Sequence, residues 1–203
     1  MKIYKEIKQG SPEWDALRVA SIGGTRFGQV ISGKKNRLVY TLANEKLNGY
    51  IDEDDFVSDA MQFGIDNEPV ARQLYSQQSG IEWQEVGLLK SDDCEIHHAS
   101  PDGISPDASE VLEIKCTTNG DIHIERFFSG PETSHLPQIK NYFAISDQVK
   151  RVHWVSYCPF RPEKPLVVHV FVRGMFVAEI PKWRAAVKRV EVELERVVNE
   201  FSF

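Results

Sequence analysis

A short apolar run that ends in charge is the most informative part of this sequence. It reads Val-Leu-Glu-Ile-Lys-Cys, from Val111 to Cys116, and its apolar residues are typical of a buried β-strand. Glu113 and Lys115 are costly to remove from water unless each of them has a partner. Since side chains two positions apart on a strand project from the same face, the carboxylate and the ammonium group are expected side by side. The pattern therefore indicates a functional site built into a sheet.

Asp102 lies upstream in the turn Ser-Pro-Asp-Gly, and a strand leaving that turn can pair beside the run. Two converging carboxylates and the carbonyl of Ile114 would offer the oxygen ligands that a hard divalent cation takes. Lys115 would then hold a water molecule or help to deprotonate it, as phosphodiester hydrolysis requires. The residues also allow a structural interpretation, in which Asp102 only forms the turn and Glu113 and Lys115 pair on an edge strand.

The composition is that of a single domain spanning residues 1–203, large enough for a substantial core. No apolar run approaches the ~20 residues that cross a bilayer, and the first residues lack a signal-peptide pattern, so a cytoplasmic protein without a membrane partner is expected. Three cysteines without a C-x-x-C pair favour a reducing compartment and argue against disulfides or a sulfur-ligated metal. They are Cys94, Cys116 and Cys158.

Charge is unevenly distributed along a chain whose net charge is −6. Between residues 16 and 46 basic residues dominate, and Glu45 is the one acid among them. The segment 52–59 reverses the sign with five acidic residues. A basic face on an acidic protein can guide a polyanion to one place, although solvated helix and loop surfaces explain the same pattern. The basic residues are Arg18, Arg26, Lys34, Lys35, Arg37 and Lys46.

Periodicity and turn residues predict alternating helices and strands, and hence one α/β or α+β domain. Helices are expected at 14–31 with a break near Gly23-Gly24, and at 37–47, 60–79, 135–145 and 181–201. Strands are expected at 83–89, 95–99, 111–116, 152–157 and 166–172. The inner face of the helix at 60–79 is predicted to consist of Phe63, Val70, Leu74 and Tyr75.

Five motifs in this order resemble the lambda exonuclease family, the YqaJ-like viral recombination nucleases of the PD-(D/E)xK superfamily. They are WDALRVASIGGTRFGQVI, FGIDNEPVARQLYSQQSGI, SPDGI, LEIKC and LPQIKNYFAIS. The resemblance runs from about residue 10 to residue 173. It implies an α/β, restriction-endonuclease-like fold, with a central mixed β-sheet of about five strands flanked by helices.

The resemblance also implies a catalytic set. Asp102 and Glu113, with the backbone carbonyl of Ile114, would bind one or two Mg²⁺ ions, for which Mn²⁺ can substitute. Lys115 would orient and activate the attacking water. Glu68 matches an acidic residue that projects from a helix towards the metals, whereas the residues alone favour a first-turn glutamate stabilised by the helix dipole.

DNA contacts follow from the same resemblance. Arg18, Thr25, Ser100 and Gln138 match a pocket for the terminal 5′-phosphate, and a guanidinium fork suits a phosphate. Thr25 replaces a serine and keeps the hydroxyl. Lys140 departs from a second glutamine of the family and is a candidate contact to a backbone phosphate. Further candidates for the DNA channel are Arg26, Arg161 and Tyr157, the last of which is as well explained by core packing.

The implied activity is a Mg²⁺-dependent 5′-to-3′ exonuclease acting on double-stranded DNA ends in phage-type recombination. The resemblance implies a homotrimeric ring around the DNA, a single-strand annealing protein as helper, and a phage or prophage protein in the bacterial cytoplasm. Two alternatives stay open, a structure-specific endonuclease of the same superfamily and a non-catalytic DNA-end-binding module. Relatives with a four-cysteine iron–sulfur site are excluded by the cysteine count.

Overall fold

The computed structural model describes residues 1–51 and 58–202. Most of the acidic segment 52–59 therefore lies outside the described residues. The strands are β1 (Lys2–Tyr4), β2 (Leu88–Lys90), β3 (His98–Ala99), β4 (Gly103–Ile104), β5 (Glu110–Cys116), β6 (Arg151–Tyr157) and β7 (Leu166–Val172). The helices are α1 (Pro12–Arg18), α2 (Gly24–Ile31), α3 (Asn36–Asn48), α4 (Asp59–Ser79), α5 (Gly120–Ser129), α6 (Leu136–Ile145) and α7 (Ile180–Phe201).

The central sheet is mixed and has the order β4-β5-β6-β7. β5 runs antiparallel to β4 and parallel to β6, while β7 runs antiparallel to β6. The predicted mixed α/β architecture is confirmed. β5 pairs with β6 along its whole length but with β4 only at Val111 and Leu112. Glu113 and Lys115 form the ion pair that the structural interpretation expected.

A second sheet has the order β1-β2-β3. Its strands β2 and β3 come from the segments 83–89 and 95–99, which were expected in one central sheet of about five strands. The strands predicted at 83–89 and 95–99 shrink to β2 and β3, which pair with each other. Trp83 and Val86 are buried although they precede β2. Between them Gln84 forms a single antiparallel bridge with Ile104 of β4. The predicted strand at 83–89 is thus present only as this bridge and the start of β2.

The helix predicted at 14–31 is two helices, α1 and α2, as the break near Gly23-Gly24 suggested. Between them Ala20 has a positive φ of 52°, and Ile22 forms a parallel bridge with His97. A β-carbon on Gly23 would lie 2.6 Å from His98 Nε2, and one on Gly24 would lie 2.7 Å from Gln138 Cγ. The two glycines thus allow α2 to begin directly against these side chains.

Helix α4 matches its prediction in extent but only partly in its inner face. Ala71 and Tyr75 are buried there, whereas Val70 is 45% exposed. The prediction for Val70 was wrong because Ala71, one position further on, is the small residue that packs against the sheet. Ser58 caps the helix, since its side chain accepts a hydrogen bond from the Met61 amide.

Both faces of the central sheet are covered, which explains the nearly continuous burial of β5 and β6. One face packs against α2, α3, α6 and α7, and the other packs against α4. The parallel pair β5–β6 needs a crossover, which α5 and α6 supply. Helix α5 was not predicted. Across the described part of the chain, no helix is both long and apolar enough to cross a membrane.

Candidate active site

Two hydrogen bonds hold the turn that carries Asp102 against β5. The Asp102 amide donates to the carbonyl of Leu112 at 3.0 Å, and the amide of Ile114 donates to Asp102 Oδ2 at 2.5 Å. The carboxylate of Asp102 therefore lies against the strand that carries Glu113 and Lys115, as the spacing predicted.

Glu113 is 2% exposed, and each of its carboxylate oxygens has a partner. Lys115 Nζ lies 2.5 Å from Oε1, and the phenol of Tyr142 donates to Oε2. Sequence reasoning missed Tyr142 as a site residue. The signal was present, because Tyr142 follows Gln138 by four positions and thus shares its helix face.

Glu68 also belongs to this cluster. It is the tenth residue of α4, which begins at Asp59, so the first-turn interpretation is wrong. Lys115 and Glu113 both act electrostatically on its carboxyl. Arg72, one turn further along α4, donates to the carbonyl of Asp102 and pairs with Glu85 at 2.8 Å. Helix α4 is thereby tied to the turn that carries Asp102.

Burial and crowding set the protonation of the cluster. Burial, together with the charges of Glu113 and Glu68, raises the pKa of Asp102 well above its usual range. Burial and the Glu113 charge likewise raise the pKa of Glu68, against the opposite effect of Lys115. Burial lowers the pKa of Lys115, but the neighbouring carboxylates outweigh it and the net shift is upward. Lys115 thus carries its proton.

The donor set suits a hard divalent cation. Mg²⁺ is commonly held by one or two carboxylates and keeps several waters, and crowded acids such as Asp102 and Glu113 gain from a cation between them. Among residues 1–51 and 58–202, no group of three or more His, Cys, Asp or Glu side chains is arranged to hold a metal.

A cavity of about 390 Å³ lies beside this cluster. Arg18, Thr25, Ser100 and Gln138, which were predicted to form a phosphate pocket, all line it, and so does Tyr142. The structure thus brings the four predicted residues together from α1, α2, α6 and the segment after β3.

Several contacts shape the wall of this cavity. The Trp14 ring lies 3.8 Å from the Arg18 guanidinium carbon, and its Nε1 donates to Ser100 Oγ at 3.2 Å. The N-terminal residue of α2 has no side-chain cap, so the first backbone N–H groups of the helix are available to an anion.

Arg26 also lines the cavity, but its guanidinium is already bound to a carboxylate. It forms a two-point pair with Glu45, at 2.5 Å and 2.9 Å, and Glu45 is only 3% exposed. The one acid of the basic segment is therefore buried under Arg26, and it also accepts a hydrogen bond from the strained Ala20 at 3.0 Å.

The remaining candidate DNA contacts lie elsewhere. Lys140 lies 5.7 Å from the Trp183 ring and does not line the cavity. Arg161 lies against Gly120 at the start of α5. Tyr157 is 6% exposed and packs in the core formed with α4, so its role is in packing. Cys94 and Cys158 are buried and Cys116 is half-buried, all three as free thiols.

Residues 13–148 match the family model of the YqaJ-like viral recombinase domain, about two thirds of the 203 residues. The chain belongs to this family. The matched stretch contains every predicted site residue except Tyr157 and Arg161. A comparison with curated protein sequences gave no match.

Solved structures agree with the YqaJ-like assignment. An alkaline exonuclease from Laribacter hongkongensis is 27% identical, with a TM-score of 0.77 over 95% of this chain and 98% of that chain. Its complex with dAMP gives the same values. A phage related exonuclease from Haemophilus somnus 129PT has a TM-score of 0.54 at 13% identity, over 99% of this chain and 96% of that chain. This last likeness concerns the fold alone.

Proposed function

We propose that this protein is a Mg²⁺-dependent exonuclease that degrades one strand of double-stranded DNA from a 5′-phosphorylated end, leaving a 3′ single-stranded tail. The observation that carries the proposal is the contact between two sites. The acidic cluster of Asp102, Glu113 and Lys115 adjoins the cavity of Arg18, and Ser100 and Tyr142 belong to the boundary between them.

The residues have distinct tasks in this proposal. Asp102 and Glu113, assisted by the carbonyl of Ile114, would hold one or two Mg²⁺ ions, or Mn²⁺. A bound ion would supply Lewis-acid polarisation of the phosphate and a more acidic water. Lys115, protonated beside Glu113, orients the attacking water as a hydrogen-bond donor. Glu68 adds negative charge at the edge of the cluster.

The neighbouring cavity suits a terminal phosphate. Arg18 offers a rigid fork of donors, the start of α2 offers backbone N–H groups and a positive dipole end, and hydroxyls of Thr25 and Ser100 add neutral donors. A DNA end bound here would place its first phosphodiester at the acidic cluster. The same cavity would then explain both the need for an end and the position of cleavage.

The named relatives support a nuclease that removes nucleotides from an end. The Laribacter protein, 27% identical, is described as an alkaline exonuclease, and it has been crystallised in complex with dAMP. A mononucleotide held by a relative is consistent with a mononucleotide as product.

Assembly and partners are part of the proposal. A homotrimeric ring would enclose the duplex and place the basic segment 18–46 towards it, so that binding weakens as salt rises. A single-strand annealing protein would take up the exposed tail, and the acidic segment 52–59 is the candidate contact. The setting would be a phage or prophage protein in the bacterial cytoplasm.

The test is digestion of a linear duplex labelled at either end, with and without a 5′-phosphate, in Mg²⁺, in Mn²⁺ and in EDTA. We expect loss of the 5′-end label first, dependence on the divalent ion, and faster digestion of phosphorylated ends. A covalently closed plasmid should survive. Cleavage of that plasmid would favour the endonuclease alternative, and survival of the linear duplex in both ions would leave only end binding.

A further inference from the structure

Tyr142 occupies the boundary between the acidic cluster and the phosphate cavity. It lies on α6, is 2% exposed, and is among the residues that line the cavity. Its hydroxyl donates to Glu113 Oε2 and lies 3.3 Å from the carbonyl of Ser100.

The hydrogen bond from Tyr142 determines the orientation of Glu113. The last torsion of a glutamate side chain is broad and has no sharp minima, so the carboxylate turns unless both oxygens are engaged. Lys115 engages Oε1, and of the residues that the structure describes, Tyr142 supplies the hydrogen bond to Oε2. Two donors from different elements, β5 and α6, thus fix one carboxylate plane.

The phenol acts only as a donor in this position. A phenol is neutral at neutral pH, because its ordinary pKa is about 10, and this hydroxyl donates to Glu113 Oε2. A neutral donor orients the carboxylate without cancelling its charge, which leaves Glu113 free to bind a cation. Lys115 cannot fill that task alone, because its own charge competes with the cation.

We propose that Tyr142 is a positioning residue that orients Glu113 for the divalent ion without binding the ion or the DNA end itself. The inference rests on the proposed function, since it takes Glu113 as a metal ligand. Partners that orient metal ligands typically contribute ~10- to 100-fold to metal affinity. Because Tyr142 brings no charge to the cavity, its hydroxyl adds little to the binding of a 5′-phosphate.

The experiment compares wild type, Tyr142→Phe and Tyr75→Phe as full-length proteins. Tyr75 is a matched control: it is buried, and its hydroxyl is 2.6 Å from His153 Nδ1, away from the acidic cluster. Calorimetric titration with Mn²⁺, without DNA, should give a Kd raised ~10- to 100-fold in Tyr142→Phe and unchanged in Tyr75→Phe. Binding of a 5′-phosphorylated duplex in EDTA should be the same in all three.

Equal Mn²⁺ affinity in wild type and Tyr142→Phe would overturn the inference while leaving the proposed function intact. Equal weakening by Tyr75→Phe would also overturn it, because the effect would then be one of general packing. A wild type that binds no Mn²⁺ would instead remove the proposed function, and this inference with it.

A measurement on the wild-type protein covers the case in which Tyr142→Phe does not fold. The chain has six tyrosines, whose ζ-carbons can be labelled with ¹³C and resolved by NMR. Mg²⁺ should shift the Tyr142 signal, identified by its selective broadening with Mn²⁺, as Glu113 takes up the ion. If no tyrosine signal moves at saturating Mg²⁺, the hydroxyl of Tyr142 does not report on the metal ligand and the proposal is wrong.

Discussion

Lys115 is a charged donor in this structure, held 2.5 Å from Glu113. A lysine whose pKa is raised cannot accept a proton from water at neutral pH. In the proposed reaction Lys115 would therefore orient the water and stabilise negative charge. Replacing it by methionine keeps most of the volume and removes the charge. We expect kcat to fall by ~10²- to 10³-fold, the usual loss for one such donor, with DNA binding in EDTA largely unchanged.

Lys150→Met is the matched control for this change. Lys150 lies at the opposite end of the β5–β6 pair, and its ammonium group donates to the carbonyl of Asp147. This variant should retain wild-type turnover. Equal losses of cleavage and binding in Lys115→Met would show that Lys115 contacts the duplex instead of the water.

Arg18 should decide the preference for a phosphorylated end. Its guanidinium carbon lies 3.8 Å from the centre of the Trp14 ring, and the group pairs with Asp15 at 3.2 Å. Hydrogen bonds between charged groups contribute ~1.5–3 kcal/mol, so Arg18→Ala should reduce the rate ratio of 5′-phosphate over 5′-hydroxyl ends by ~10- to 100-fold. Arg18→Lys should show part of that loss, since lysine keeps the charge without the fork. Similar losses on both kinds of end would exclude Arg18 from phosphate recognition.

The residues that could be found from the sequence are those whose chemistry is unusual for their position. A glutamate and a lysine in an apolar run attract attention, and so does a Pro-Asp-Gly turn. Trp14 and Glu45 have no such unusual chemistry, and the one signal for Tyr142 is its position four residues after Gln138. An aromatic residue in an apolar helix is expected in the core, and a glutamate among lysines is expected at the surface. Their roles depend on which side chain lies across from them, which the sequence does not show.

At the level of elements, the sequence indicated long helices better than short strands. Helices α3, α4, α6 and α7 are each at least ten residues long and have a Gly after the last residue or a Pro in the first turn. Each was predicted near its observed bounds. Strands β1, β3 and β4 have two or three residues, too few for a period to appear. Pairing with distant segments creates these strands, so local pattern cannot predict them.

Arg72 connects α4 to the turn that carries Asp102, a contact that the helical pattern did not predict. It joins the helix carrying Glu68 to the carbonyl of Asp102. Arg72→Met should cost ~1.5–3 kcal/mol in the free energy of unfolding, as expected for a hydrogen bond to a charged group. It should also lower kcat by up to ~10²-fold, because small displacements of catalytic groups have large effects. The KM for phosphorylated ends should not change, since α4 does not line the phosphate cavity.

Glu85→Gln removes the surface ion pair of Arg72 with Glu85 but keeps the hydrogen bond from Arg72 to the carbonyl of Asp102. Glu85 is 57% exposed, and exposed ion pairs contribute ~0–1 kcal/mol, so this variant should retain turnover and nearly all stability. Chemical denaturation and steady-state kinetics measure both quantities. Comparable losses in the two variants would mean that Arg72 matters through Glu85 and not through Asp102.

In the molecule as a whole, two buried histidines lie beside the cavity that Arg18 lines. His97 and His98 are 2% and 5% exposed. His97 hydrogen-bonds to Asn141 at 2.6 Å and stacks on Phe27, while His98 contacts Ser21 Oγ at 2.9 Å. Burial, with nearby positive charge from Arg184 in one case and Arg18 in the other, lowers the pKa of His97 to about 4 and that of His98 to about 3.

These two histidines should make the protein unstable in mild acid. In the unfolded chain both histidines take up protons below about pH 6.5. In the folded protein they do so only at about pH 4 or lower. The free energy of unfolding therefore falls as the pH decreases between these two limits. Each histidine contributes a slope of up to ~1.4 kcal/mol per pH unit. The raised pKa values of Asp102 and Glu68 act in the opposite direction. In His97→Gln/His98→Gln, urea denaturation at steps from pH 4 to 7 should therefore show a flatter dependence than wild type. The carboxylates remain in both proteins and cancel in the comparison, so parallel curves would show that the acid sensitivity has another source.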